Sequence, residues 1–358
     1  MTHRCDALLV GAGIMGATLA QLLRQLDPAL NVVVLERLPV LAAESSAALN
    51  NAGTGHAANC ELNYTPQAAD GSIPIAKALS INSAFELSLQ FWSALVEQGV
   101  LQDPAAFIRA VPHLSFVWGE ANVDFLRRRW QALKASPQFA GMQMSGDVAQ
   151  LREWMPLVME GRNLDQPLAA TRVARGTDVN FGALTVALLQ GVDVRLSHEV
   201  VGLERGGAGW LVQARCADGG SATFEAPFVF LGAGGGALPL LQRSGIPESR
   251  RYGAFPVSGQ WLVCRNPEVI ARHDAKVYGK AAVGAPPMSV PHLDTRWIDG
   301  QRALLFGPYA GFSTRFLKQG SLWDLGRSVK PFNLLPSLQV GSQNFDLVRY
   351  LVGQVLQS

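Results

Sequence analysis

A short apolar run followed at once by a glycine-rich turn stands near the start of the chain and limits the folds available to it. Ala7 to Val10 is the run, and GAGIMG follows it from Gly11 to Gly16. A second apolar run spans Val32 to Leu35, and continuous apolar runs are typical of buried parallel strands. Apolar residues recur at helical spacing between the runs, at Met15, Leu19, Leu22, Leu23 and Leu26. We therefore predict a strand–helix–strand unit over Ala7 to Glu36.

The glycine spacing indicates a dinucleotide-binding turn. Gly11 permits the tight turn, Gly13 lets the backbone approach a pyrophosphate, and Gly16 allows close packing of helix on strand. The helix N-terminus offers free N–H groups and a favourable dipole to phosphates. Glu36 ends the second strand, where a carboxylate binds ribose hydroxyls and disfavours NADP. This unit does not distinguish FAD from NAD, and a glycine turn that merely precedes a helix is the alternative.

Composition excludes several classes of protein. With 358 residues, 48% hydrophobic and 16% charged, the chain can bury a large core in two domains or one discontinuous pair. Lysine plus arginine (30) nearly balances aspartate plus glutamate (28), so we expect no nucleic-acid partner. The four cysteines form no CxxC pair, and the N-terminus lacks the apolar region of a signal peptide. We expect no metal site and a cytoplasmic protein.

Later segments predict the organisation of the chain. Helical periodicity appears around Phe85 to Val96, and Gly182 to Leu189 reads as a helix. Predicted strands are Val192–Leu196, Trp210–Arg215, Phe228–Leu231, Trp261–Cys264 and Ala303–Phe306. The fold class is α/β, with a discontinuous Rossmann-like nucleotide domain and an antiparallel β-rich substrate domain. The predicted boundaries are 1–84 and 171–243 for the nucleotide domain, 85–170 for a helical or mixed insertion in the substrate domain, 244–340 for the substrate domain, and 341–358 for a return to the nucleotide domain.

The run ERLPVLAAESSAALNNAGTGHAANCELNYTP, Glu36 to Pro66, resembles malate:quinone oxidoreductase, a family of FAD enzymes. The resemblance recurs in DVNFGALT (Asp178–Thr185), FVFLGAGGGALPLL (Phe228–Leu241), GAFPVSGQ (Gly253–Gln260), MSVPHLDTR (Met288–Arg296), FGPYAGFSTRFLK (Phe306–Lys318) and SVKPFNLLP (Ser328–Pro336). It covers nearly the whole chain. It implies FAD as the cofactor and a Rossmann-like FAD-binding domain.

Further cofactor contacts are expected in the resembling strings. Ser45 and Ser46 can reach phosphate or ribitol, and the small residues Asn51, Gly53, Thr54 and Gly55 can pass beneath a flat ring. Gly232 and Gly234 follow a predicted buried strand and permit close packing on the cofactor, although a plain strand-to-helix turn is the alternative. Val200 resembles the position at which similar enzymes contact adenine, and it can equally be a core residue.

Substrate and catalytic residues are predicted from the chemistry of malate. Its two carboxylates need fixed cations, and arginine suits carboxylates better than lysine. Arg296 and Arg315 are the candidates, with Lys318 behind them, and each can instead be a surface or ion-pairing residue. Oxidation of a 2-hydroxy acid also needs a base for the hydroxyl proton. His56 and His292 are the two candidates, and the residues leave the choice open.

The resemblance implies an enzyme of the tricarboxylic acid cycle. It would oxidise (S)-malate to oxaloacetate by hydride transfer to FAD and pass the electrons to a membrane quinone. A quinone partner implies peripheral contact with the cytoplasmic membrane. The alternatives are an FAD-dependent dehydrogenase of another 2-hydroxy acid such as 2-hydroxyglutarate, an NAD-dependent dehydrogenase, and an inactive nucleotide-binding remnant.

Similar enzymes continue beyond the position of Gln357-Ser358 into a last glycine-rich segment that returns to the flavin. The expectation is therefore a C-terminally truncated chain with weak affinity for FAD.

Overall fold

The computed structural model describes residues 2–207, 209–281, 290–345 and 349. The chain forms two compact units. The first comprises Met1–Asn51, Phe181–Ser258 and Phe312–Ser358, and the second comprises Ala52–Asn180 and Gly259–Gly311.

Seventeen strands are defined in the part of the chain that the structure describes. They are β1 Thr2–Arg4, β2 Ala7–Val10, β3 Val32–Leu35, β4 Ile108–Ala110, β5 His113–Trp118, β6 Gln143–Ser145, β7 Leu168–Val173, β8 Thr177–Val179, β9 Asp193–Arg195, β10 His198–Gly206, β11 Gly209–Cys216, β12 Ser221–Ala226, β13 Phe228–Leu231, β14 Val257–Cys264, β15 Lys276–Tyr278, β16 His292–Ile298 and β17 Gln301–Phe312.

The α-helices defined over the same residues number ten. They are α1 Ile14–Leu26, α2 Ala76–Glu97, α3 Glu120–Lys134, α4 Val148–Trp154, α5 Pro156–Met159, α6 Phe181–Leu188, α7 Ala237–Arg243, α8 Pro267–Ile270, α9 Asp324–Ser328 and α10 Pro331–Gln343. Within the described ranges, none of them is both long and apolar enough to cross a membrane.

The first unit contains a four-stranded parallel sheet with the order β13-β2-β3-β9. Every residue of β2 and β3 is buried, which explains their continuous apolar sequences. Helix α1 buries the small residues Gly16, Ala17 and Ala20. The predicted strand–helix–strand unit is present, and a second sheet with the order β1-β12-β11-β10 accompanies it.

The second unit is built on a mostly antiparallel sheet with the order β14-β17-β16-β15-β5-β7-β6. Within it, β15 pairs with β5 in parallel and with β16 in antiparallel orientation. One side packs on α4 and α5 through a core that includes Leu114, Phe116, Leu151, Met155 and Val277. These two units fit the predicted α/β fold with an antiparallel substrate domain.

The chain changes units after Asn51, Asn180, Ser258 and Gly311, and these positions differ from the predicted boundaries. The largest difference concerns residues 312–340, which were predicted in the substrate domain and lie in the first unit. Phe316 there lies so close to the second glycine-rich turn that a β-carbon at Gly235 would be 1.9 Å from its carbonyl oxygen. Of the predicted segment 341–358, residues 346–348 and 350–358 lie outside the described residues, as do Met288 and Ser289.

Candidate active site

A cleft of about 720 Å³ opens in the first unit beside the ends of β2, β3 and β13. The predicted cofactor residues that line it are Gly11, Gly13, Glu36, Ser45, Ser46, Val200, Gly232 and Gly234. The carboxyl ends of parallel strands are the usual nucleotide site in such sheets. The structure therefore brings these residues together around one cavity.

The turn between β2 and α1 is packed so closely that it requires glycine. Gly11 has φ +107°, and a β-carbon there would lie 2.5 Å from the Gly232 carbonyl oxygen. A β-carbon on Gly16 would lie 2.2 Å from the Gly11 carbonyl oxygen. Contacts this short involve backbone atoms that cannot rotate away. Gly16 thus sets the distance between strand and helix, and Gly11 sets the distance between the two glycine segments.

Backbone hydrogen bonds fix the polar groups of this cleft. Glu36 accepts hydrogen bonds from Ala12 N and Leu38 N, both at 2.9 Å. Ser46 Oγ accepts one from Ile14 N at 2.9 Å, at the first turn of α1. The Asn51 side chain donates to the carbonyl oxygens of Ser45 and Ala47, so it supports the serine turn.

The cleft fits a dinucleotide. The glycine turn that lines it leaves no room for a β-carbon at Gly11. The N-terminus of α1 and the Glu36 carboxylate supply groups of the kind that bind phosphate and ribose. Val200 lines the cleft and is buried, so a cofactor contact and a core role are both compatible with its position.

Two of the predicted cations lie in the first unit. Arg315 is exposed, and among the described residues no acidic group lies within salt-bridge distance of it. Lys318 is also exposed, but its ammonium bonds to Asn50 Oδ1 and its backbone N–H donates to Glu44 at 2.8 Å. Arg315 is thus the one of these two cations whose side chain is not already in a salt bridge or a hydrogen bond with Asn50.

A buried polar face of the large sheet organises the second unit. His292, Asp294 and Arg296 alternate along β16 and therefore share one face. Lys276 pairs in register with Asp294 on one side and with His113 on the other. Titratable groups from three adjacent strands are thereby brought into one row, an unusual content for a sheet interior.

His292 is held in one orientation. Its Nδ1 lies 2.8 Å from Asp294 Oδ2, and its ring stacks on Tyr278 with centroids 3.9 Å apart. Burial raises the pKa of Asp294, but His292 and Lys276 outweigh it and hold this pKa below its usual value. A carboxylate only accepts hydrogen bonds, so this contact favours a proton on Nδ1 and leaves Nε2 as the ring nitrogen that Asp294 does not engage.

Asp178 compensates the two buried cations of this face. Its Oδ1 lies 2.9 Å from Lys276 Nζ and 2.7 Å from Arg296 Nε, and all three side chains are fully buried. Its Oδ2 accepts a hydrogen bond from Trp297 N at 2.7 Å. The guanidinium of Arg296 is thus in a salt bridge with no solvent-accessible surface, and this geometry does not support its predicted direct contact with substrate.

The loop of residues 52–60 covers the polar face and is fastened to it at four points. Lys276 donates to Ala52 O at 2.8 Å, and Thr54 Oγ1 and Tyr278 OH lie 2.8 Å apart. Ser115 donates to Cys60 O at 2.9 Å. The fourth point is Gly53, with φ +58°, where a β-carbon would lie 2.3 Å from Cζ of Arg296. Gly55, in the same loop, is packed against Thr177 and Phe85.

His56 projects from this loop and is exposed. Desolvation by the surrounding protein, followed by the charge of Lys276, lowers its pKa to about 4. Because the ring is accessible, water weakens the desolvation, but the neutral imidazole predominates near pH 7 with or without the full shift. Asp294 and His292 also act electrostatically on it, so both candidate bases belong to one neighbourhood of the second unit.

Five residues of this buried polar site were not predicted from the sequence: His113, Asp178, Lys276, Tyr278 and Asp294. The signal for Asp294 was present, because it alternates with His292 and Arg296 in a string already quoted. Asp178 begins another quoted string. Lys276 and Tyr278 carried no such signal, since only the pairing of β15 with β5 and β16 brings them to this face.

Comparisons with known proteins identify the family. The family model of malate:quinone oxidoreductase matches residues 3–358. A probable malate:quinone oxidoreductase of Synechococcus sp. (strain RCC307) is 63% identical over 365 residues, which cover 100% of this chain and 76% of that protein. One from Methylobacillus flagellatus is 60% identical, covering 99% of this chain and 73% of the relative.

Solved structures show the same fold at low sequence identity. Glycine oxidase from Geobacillus kaustophilus has a TM-score of 0.59 at 18% identity, over 87% of this chain and 72% of its own. L-α-Glycerophosphate oxidase from Mycoplasma pneumoniae, solved with FAD bound, has a TM-score of 0.58 at 16% identity, over 86% and 72%. The predicted fold class and family are confirmed: the chain belongs to the malate:quinone oxidoreductase family.

Proposed function

We propose that this protein binds FAD in the cleft of the first unit and oxidises (S)-malate to oxaloacetate, with a quinone as the final electron acceptor. Membership of the malate:quinone oxidoreductase family supports the substrate and the acceptor. The glycine-floored cleft with its fixed Glu36 carboxylate supports the cofactor. The oriented pair of His292 and Asp294 is the observation that carries the chemistry.

Oxidation of a 2-hydroxy acid removes a hydride from C2 and a proton from the hydroxyl group. FAD, when bound, supplies the hydride acceptor. We assign the proton to Nε2 of His292, because Asp294 occupies Nδ1 and stabilises the imidazolium that forms. Tyr278 limits rotation of the ring by stacking on it. His56 remains the second candidate, since it is accessible and has no carboxylate partner of this kind among the described residues.

Carboxylate recognition is proposed for Arg315 rather than Arg296. Arg315 is exposed and forms no salt bridge among the described residues. Arg296, in contrast, forms a buried salt bridge with Asp178. We assign Arg296 a structural role, because its buried guanidinium packs directly against Gly53 and limits the position of that residue.

Anaerobic mixing of the FAD-loaded protein with (S)-malate tests the proposed function. The expected result is loss of flavin absorbance, followed by its return when a soluble quinone is added. Parallel mixing with 2-hydroxyglutarate tests the substrate, and faster reduction by this acid would show that malate is the wrong donor. Bound FAD that no 2-hydroxy acid reduces would identify a nucleotide-binding remnant instead, and NADH formation without flavin would exclude the flavin mechanism.

We propose in addition that the protein associates peripherally with the cytoplasmic membrane. The support is chemical, because a quinone of the respiratory type is dissolved in the lipid. Co-sedimentation with vesicles that contain quinone is expected, and it should weaken as salt is added if anionic lipids contribute. Protein that stays in the supernatant at every lipid concentration would contradict this proposal.

A further inference from the structure

Lys276 is fully buried, and its ammonium contacts three separate parts of the second unit. Nζ donates to Ala52 O at 2.8 Å, lies 2.9 Å from Asp178 Oδ1, and lies 4.0 Å from Asp294 Oδ2. These acceptors offset the cost of removing an ammonium from water. A lysine placed only for packing would not need three oxygen partners.

Two partners of Lys276 are linked to the two candidate bases, His56 and His292. Ala52 begins the loop that carries His56, and Asp294 is the carboxylate paired with His292. We propose that Lys276 is a positioning residue for proton transfer: its ammonium fixes this loop and holds the Asp294 carboxylate ionised and oriented toward His292. The kinetic part of this inference rests on the proposed function, whereas its structural part does not.

Charged and titratable groups face Lys276 from each neighbouring element. His113 lies on β5, Asp178 on β8, and Asp294 and Arg296 on β16. His56 faces it from the loop. His292 faces the Asp294 carboxylate from β16. Lys276 is thus one of two buried cations that face Asp178, and its removal takes away positive charge beside both carboxylates.

Two imidazoles report on the Lys276 charge. Burial and then Lys276 lower the pKa of His113 to about 3, and desolvation followed by Lys276 lowers the pKa of His56. The ammonium therefore acts on a row of side chains, beyond the atoms that it touches. His56 is the more useful reporter, because its ring is accessible to solvent.

Three variants separate the contributions of Lys276. Lys276→Met removes both the charge and the hydrogen bond, Lys276→Gln keeps a donor for Ala52 O without the charge, and Lys276→Arg keeps the charge. Lys280→Met is the matched control, because Lys280 lies four residues away and contacts Asn122 and Phe125.

We expect Lys276→Met to lower kcat for malate about 100-fold with little change in KM, as misplacement of a catalytic group does. Lys276→Arg should recover most of this loss, and Lys280→Met should show none. In ring NMR spectra, the titration midpoint of His56 should move to higher pH in the methionine and glutamine variants. The neutral His292 ring should lose its preference for the Nδ1–H tautomer in Lys276→Met.

Unchanged His56 titration and an unchanged His292 tautomer in Lys276→Met would overturn the inference. If the variants do not fold, the wild type still decides, because a neutral His292 ring with its proton on Nε2 would contradict an Asp294 carboxylate that is held ionised and oriented toward Nδ1. If wild-type protein is not reduced by malate, the proposed function fails, but both NMR readouts still test the placement of Lys276.

Discussion

Replacement of His292 by asparagine is expected to slow flavin reduction by malate by about 10²- to 10⁴-fold, the usual contribution of a general base. Asparagine has no lone pair of suitable basicity at the position of Nε2, while it can still fill much of the space beside Tyr278 and Asp294. Stopped-flow absorbance under anaerobic conditions measures the rate. FAD content should stay unchanged, because the cofactor cleft belongs to the first unit.

Asp294→Asn and His56→Asn complete this experiment. Asparagine at position 294 can donate as well as accept, so it no longer fixes the His292 tautomer, and we expect a smaller loss than for His292→Asn. His56→Asn should leave a rate within about tenfold of the wild type if His292 is the base. A severe loss in His56→Asn together with a mild loss in His292→Asn would reverse the assignment.

Gly16→Ala is expected to destabilise the fold by about 1–3 kcal/mol, the usual cost of overpacking, and to weaken FAD binding. The added methyl group would lie 2.2 Å from the Gly11 carbonyl oxygen. Backbone on both sides must shift, and this shift opens the turn that is proposed to hold the pyrophosphate. Titration of the apoprotein with FAD, followed by flavin fluorescence, measures the change in Kd.

Gly206→Ala is the control for this prediction, because nothing lies within 4 Å of a β-carbon at Gly206. Its FAD affinity and its thermal midpoint should match those of the wild type. Wild-type affinity in Gly16→Ala would mean that this turn does not carry the cofactor, and the assignment of the cleft would then be wrong.

The nucleotide part of the fold was accessible from sequence because its information is local. Strands β2 and β3 and helix α1 lie within a residue of their predicted limits, as does β13. Each is specified by a continuous apolar run or a helical period, and the glycine spacing orders them. Helix α2 begins at Ala76, nine residues earlier than the periodicity around Phe85 indicated, and Ala78 and Ile81 continue that spacing toward its N-terminus.

The substrate part was less accessible because its contacts are not local. Lys276 and Arg296 lie on the paired strands β15 and β16, whereas Asp178 lies on β8 in a separate two-stranded sheet with β4, so the three side chains meet only in the folded chain. No period in the sequence states which strands are neighbours. A charged residue within an apolar strand still predicts one thing: because a buried charge needs a partner, an oppositely charged residue should lie beside it in the fold.

The four fastenings of loop 52–60 have a consequence for protein engineering. The conformation of this loop depends on Ser115, Lys276, Tyr278 and Arg296 in the sheet, and on two helix residues, Asn82 and Arg129, that donate to the carbonyl oxygens of Ala57 and Ala58. A graft of residues 52–60 into a distant oxidoreductase scaffold would therefore not transfer their shape unless those six side chains were transplanted with them.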